Sequence, residues 1–274
     1  MLLIDTDQQG RLHDTSVSAP VLWVAVLPVT VHSGAPDVWH QAVAVASSGW
    51  FGVLTLLSGL VATGLAAATV AEIAARVIRL CWLGYRLPRC LALLLVRWRR
   101  WRWDSANLQS QTASTEFARR HAGQRRNRIA LAVPESPTWM GDRVAALDSR
   151  VRSEYGIDVA SAWSRLWLLL SESERTDLRE ARRRNVRASR AMAWAGIYAV
   201  TAVLWWPLSI VAIAGAIAAL TAGRAATAAA TDLAEALVDL HAVALAGALG
   251  VEVNGEVVTS SEGRNINRRN RKGA

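Results

Sequence analysis

Apolar residues gather in two long stretches of this chain, and charged residues fill the segments between them. No charged side chain occurs between Arg190 and Arg224, and Pro207 stands in the middle of that run, directly after Trp205 and Trp206. A second uncharged run lies between Asp37 and Glu72. Both are long enough to cross a bilayer. Residues 47–75 predict a first transmembrane helix, with Trp50 and Phe51 anchoring its outer end and Arg76 and Arg79 closing its inner end. Glu72, four residues before Arg76, predicts an ion pair along the helix. Residues 191–223 would make a straight helix of about 50 Å against about 30 Å of hydrocarbon. A transmembrane hairpin resolves the excess, with Trp205, Trp206 and Pro207 at its apex in the outer interface; one long tilted helix is the alternative.

The other segments follow from shorter patterns. Residues 1–46 predict an extracytoplasmic segment of extended pieces: Leu2 to Ile4, then the Val-rich stretch Pro20 to Val31, which is too short to span and is expected to form strands or an interfacial segment. Residues 76–103 predict a basic amphipathic juxtamembrane segment, and residues 104–133 a polar linker. Residues 134–190 predict a helical region. Ser136 and Pro137 suit its first helix start, Gly156 its end, Asp158 the next cap, and Ser171 with Glu174 a capping box. Residues 224–250 predict a further helix ended by Gly250. Asn254-Gly255 between alternating valines predicts a β-hairpin over 251–260, and residues 261–274 a disordered basic tail. The fold class is thus an all-α integral membrane protein of about three transmembrane helices, with short β-hairpins near both termini.

Charge orients this arrangement. Residues 76–190 hold twenty-four Arg against eleven acids, whereas residues 1–40 hold Arg11 against Asp5, Asp7, Asp14 and Asp37. The positive-inside rule places the arginine-rich middle and the C-terminus in the cytoplasm of a bacterial plasma membrane, and the acid-leaning N-terminus outside. Met1 to Gly10 has no basic n-region followed by an apolar core, so the first span is expected to act as an uncleaved anchor.

Two patterns suggest contacts. Thr55, Gly59, Thr63 and Ala67 fall on one face of the first span, and Gly215, Ala219 and Gly223 on the second arm of the hairpin. Such small residues admit a second helix at close range, within the bundle or in a homo-oligomer or membrane-protein complex. The run Arg97, Trp98, Arg99, Arg100, Trp101, Arg102 and Trp103 contains no acid. Arg and Trp serve both lipid headgroups and nucleic acid; position beside a span favours anionic lipid and disfavours nucleic acid.

Pro137-Thr138 and Gly141, Tyr155-Gly156 with Asp158, Trp163 with Arg165-Leu166, and Asp239-Leu240-His241 before Leu249-Gly250 together resemble an uncharacterised family of actinobacterial multi-pass membrane proteins. The resemblance covers the second half of the chain. It implies a membrane location and a cytoplasmic helical region, and no activity.

Catalytic signatures are absent from the sequence: no phosphate-binding loop, dinucleotide fingerprint, zinc-protease or nucleophile-elbow motif occurs. Cys81 and Cys90 read as small apolar residues, and no metal or cofactor is expected. Asp239 and His241, two apart on a helix, point to different faces, so His241 is expected to bond a carbonyl or carboxylate elsewhere. A non-enzymatic membrane scaffold is the leading expectation. A pore or transport component, and a membrane-tethered nucleic-acid-binding protein, are the alternatives.

Overall fold

The computed structural model describes residues 18–130, 132–253 and 255–271. They form ten helices: α1 Ser18–Gly34, α2 Pro36–Ser47, α3 Trp50–Trp82, α4 Arg89–Thr112, α5 Glu116–Ile129, α6 Trp139–Tyr155, α7 Val159–Leu169, α8 Glu172–Thr201, α9 Leu208–Ala248 and α10 Ser260–Asn270. Among the described residues there is no strand. The chain divides into two compact units, and α3, α8 and α9 contribute residues to both.

The apolar unit holds α1, α2, α3 to Arg79, the end of α8 from Val186, and the start of α9 to Gly223. Among the described residues, two helices are long and apolar enough to cross a membrane. The most apolar 18-residue window of α3 has a mean hydropathy of 2.0 and is only 6% buried, which is the reverse of a soluble core helix. The window of α9 has a mean hydropathy of 1.7 and is 22% buried.

α3 and α8 run in opposite directions. Ala71 and Ala75 pack on Ala193 and Trp194, and Glu72 meets Arg190 at 2.6 Å, so Glu72 pairs across helices rather than along its own with Arg76. α1 runs in the direction of α8. The Trp23 indole donates to Thr201 Oγ1 at 3.3 Å and stands 6.5 Å from the Trp194 ring, while at the far end Gly34 abuts Leu204 closely enough that a Cβ would meet its carbonyl.

The Val-rich stretch expected to be extended is therefore helix α1, with Pro28 inside it. An isolated strand in apolar surroundings leaves its amides unbonded, whereas a helix bonds them within itself. The strand expected at Leu2 to Ile4 lies outside the described residues. Residues 202–207 form the reversal between α8 and α9. α8 ends at Thr201, and Pro207, which has no N–H to donate, stands immediately before Leu208, the first residue of α9. The first arm, Ala191 to Thr201, is thus about 16 Å long and the second, Leu208 to Gly223, about 24 Å, not two equal arms.

The polar unit holds α4 to α7, the start of α8, the end of α9, and α10. Its core joins Leu147, Val151 and Tyr155 of α6, Leu166 of α7, Leu178 of α8, Leu237 and Leu245 of α9 and Ile266 of α10. Helix starts follow capping chemistry. Asp158 accepts from Ala160 N, Ser171 and Glu174 cap each other, and Thr259 with Glu262 closes a full capping box. The N-cap of α6 is Thr138, which accepts from Gly141 N, rather than Ser136, whose amide with that of Glu135 donates to the Asp142 carboxylate.

Three expectations change here. The polar linker is helical: α4 continues to Thr112 and pairs with α5 through Arg126, which donates to Asn107 Oδ1 at 3.1 Å. The valines around Asn254 build no hairpin among the described residues, which exclude Asn254 itself. Val251 and Val258 are buried instead, pinning the connection between α9 and α10 to the core. The basic tail folds as α10 up to Asn270, because Ile266 is wholly buried and Gly263 lies against the Tyr155 carbonyl with no room for a Cβ.

That close approach generates a test. Gly263→Ala should cost about 1–3 kcal/mol in thermal unfolding followed by circular dichroism. Gly255→Ala, where an added carbon meets nothing within 4 Å, should leave the melt unchanged. Equal melts for the two variants would show that α10 is not docked.

Candidate functional site

The basic segment within α4 resolves into two faces. Arg99 is buried and pairs with Asp142 at 2.5 Å, donating also to the carbonyls of Ser136 (2.7 Å) and Ile129 (2.8 Å). Arg100 donates to the Pro134 carbonyl at 2.7 Å, and the Trp103 indole to that of Ala130 at 3.1 Å. These three side chains close the loop between α5 and α6 onto α4. Arg99 is therefore withdrawn from the lipid contact expected of it, because three separate oxygen acceptors repay its desolvation. Burial pushes its guanidinium below the usual value while Asp142 pulls it back. Arg97, Trp98, Trp101 and Arg102 face outward, with Arg102 over the Trp98 ring at 4.8 Å.

Along α3, Thr55, Gly59 and Thr63 are exposed and Ala67 is half-buried; an added carbon at Gly59 would meet nothing within 4 Å. The face of α3 that packs within the chain is Gly64, Ala71 and Ala75, with Val24 of α1 lying against Gly64. Sequence spacing finds a small-residue stripe but not which of two stripes is covered. On α9, Ala219 and Gly223 are buried and Gly215 faces Ala195 of α8. At the reversal Trp206 is exposed, and Trp205 and Pro207 are half-buried.

His241 and Asp239 turn to different partners. His241 Nε2 lies 2.9 Å from Glu174 Oε1, joining α9 to the first turn of α8. Asp239 stands beside Tyr155 of α6, whose hydroxyl is pushed up to about 12 by burial first and by that carboxylate second. Glu174 is held down to about 2 by hydrogen bonds from His241 and then from Ser171.

Sequence reasoning missed other clamps. Arg143 reaches Thr231 and Asp232 of α9, Arg150 meets Glu235 at 2.8 Å, and buried Asn185 donates to Thr227 at 3.0 Å. Thr138 donates its hydroxyl to the Trp82 carbonyl, fastening the exit of α3 to the entry of α6. A polar cleft of about 600 Å³ lies between Gly250 and Arg269, yet Glu262 on its wall is committed to the α10 cap and Arg269 to the Leu249 carbonyl. Among the described residues no group of three or more His, Cys, Asp or Glu is placed to hold a metal ion. No family model matches this chain, and no curated protein and no solved structure matches it either.

The Arg99–Asp142 pair predicts its own mutational signature. Asp142→Asn should cost about 3 kcal/mol in unfolding free energy by leaving a buried cation unpaired, and Arg99→Met with Asp142→Leu should recover little of it, because the carbonyls of Ser136 and Ile129 and the amides of Glu135 and Ser136 lose their partners. Arg97→Ala should stay within about 0.5 kcal/mol of wild type.

The His241–Glu174 contact predicts a pH dependence. Glu174 ionises at about 2 in the folded chain against an ordinary value near 4.5, so its contribution is complete above about pH 4.5 and is lost as pH falls toward 2. The stability gap between wild type and His241→Ala should close over that window in acid titrations started at pH 5. A gap that stays constant down to pH 2 would remove the contact from the account.

Proposed function

We propose that the chain is an integral membrane scaffold: an apolar helical unit in the bilayer holds a cytoplasmic helical unit on which other proteins assemble. The observation that carries this reading is the exposure of α3, whose apolar residues Leu57, Val61, Leu65 and Ile73 are each more than half exposed. Water would not tolerate such a helix and lipid requires it. The way titratable groups are used supports scaffolding over catalysis. Arg99–Asp142, Arg143–Asp232, Arg150–Glu235 and His241–Glu174 each tie one element to another.

The topology we propose differs from that suggested by charge. α1 shares the direction of α8, which supports placing the start of α1 on the same side as Arg190, the cytoplasmic side. The acids before α1 do not oppose this, because the positive-inside rule counts Lys and Arg, and only Arg11 lies there. α1 and α3 then cross, the hairpin of α8 and α9 inserts beside them, and Trp39, Trp50, Phe51 and Trp206 belong to the outer interface.

Reporter fusions before Ser18 and after Asn270 should both report a cytoplasmic location, and alkaline carbonate should leave the full chain in the membrane fraction. An external reporter at the first site would overturn the direction of α1. Release of the protein by carbonate would overturn the membrane reading. Ion flux through proteoliposomes would favour a pore over a scaffold.

A further inference from the structure

We propose that the outer face of α4 lies in the headgroup layer of an anionic bilayer, an inference that rests on the membrane reading above. Leu91, Leu94, Trp98 and Trp101 recur at intervals of three and four and share one face, and all are exposed, Leu94 by 67% and Trp101 by 66%. Arg99 and Trp103 point to the opposite side, into the clamp on the α5–α6 loop, so the face is unencumbered by the packing of the polar unit. Arg97 and Arg102 border it, and no acid occurs from Val77 through Trp103. The next acid along the helix is the exposed Asp104, a turn beyond Trp101.

Charge and shape select lipid. Indole rings and leucines framed by guanidinium groups fit the boundary between acyl chains and phosphates, where Trp is enriched and Arg stays hydrated. Nucleic acid would use the arginines and could stack on the tryptophans, but Leu91 and Leu94 offer a base or phosphate nothing. Only six residues, 83–88, separate α3 from α4, so the face stays within reach of the bilayer that α3 enters. α4 is then a stave between the membrane surface on one side and the loop held by Arg99 on the other.

The test uses the full-length chain in proteoliposomes of phosphatidylcholine with or without phosphatidylglycerol, after Cys81→Ser and Cys90→Ser. Spin labels are placed singly through Leu94→Cys, Asp104→Cys and Val61→Cys, and depth is read from collision with oxygen against a water-soluble nickel chelate. The Leu94→Cys label should sit about 5–10 Å inside the headgroup boundary in anionic membranes. It should become shallower in phosphatidylcholine alone, or when Arg97→Gln and Arg102→Gln are added. The Asp104→Cys label should be aqueous and the Val61→Cys label deep.

A Leu94→Cys label as aqueous as that at Asp104→Cys, with Val61→Cys still deep, overturns this proposal alone. An aqueous Val61→Cys label overturns the membrane reading with it. An immobilised Leu94→Cys label shielded from both probes assigns the face to a protein partner. Salt-sensitive capture of duplex DNA that Trp98→Ala with Trp101→Ala abolishes assigns it to nucleic acid. Either result overturns the proposal.

Discussion

An apolar helix that the rest of the chain leaves uncovered is the constraint on which this structure turns. α3 exposes Val53, Leu54, Leu57, Val61, Leu65, Val70 and Ile73 between 40% and 64%. Half-burying a side chain of this kind is worth about 1 kcal/mol, so leaving the row in water would cost several kcal/mol, a large share of any domain's net stability. The helix is also clear of charge from Trp50 to Ala71, so nothing on it repays hydration. Its buried positions are glycine and alanine: Gly52, and farther along Gly64, Ala71 and Ala75. Close backbone approach holds α1 and α8 there, and the large side chains are left for the solvent that surrounds them.

In the apolar unit Glu72 meets Arg190, Arg79 donates to Ser189 Oγ at 3.0 Å, and the Trp23 indole donates to Thr201. In the polar unit polar contacts are spread through the whole assembly and lie mostly at helix starts and crossings. Thr138, Gly141, Gly156, Asp158, Arg165 and His241 show what they do. Thr138 bonds Trp82, and Gly141 and Gly156 admit the backbones of Leu83 and Ser260. Asp158 caps α7, Arg165 donates to the Asn270 carbonyl, and His241 meets Glu174. Residue types that are often scanned for chemistry are here the fasteners of a helical unit, and α10 is among the pieces they fasten.

Much of this was legible one residue at a time. The two apolar stretches, the reversal at Pro207, the caps at Asp158 and Ser171 and the stop at Gly156 all rest on local rules, in which a residue's neighbours in sequence are its neighbours in space. What stayed hidden depends on distant partners. Val-rich residues 20–31 read as extended because β-branched residues suit strands; surrounded by apolar helices, the same residues do better with their amides bonded internally. The basic tail read as disordered because its single anchor, Ile266, is one apolar residue among polar ones, and only the approach of Gly263 to Tyr155 shows that a place was kept for it. Likewise Thr55, Gly59 and Thr63 have the right spacing for packing, but within this chain the covered face of α3 is that of Gly64, Ala71 and Ala75.

The run from Arg97 to Trp103 shows where the boundary of legibility lies. Composition treats its seven residues as one basic, aromatic patch, but successive residues on a helix turn through about 100° and cannot share an environment. Periodicity alone therefore predicts that the patch must split, with Trp98 and Trp101 on a face that Arg99 and Trp103 do not occupy. It cannot say which half goes inside. That depends on Asp142, far along the sequence on α6, and on the carbonyls of Ile129 and Ser136, which together make burial of Arg99 tolerable. Once an arginine is paid for in this way, the leucines and tryptophans of the other half are what remains to meet the surroundings.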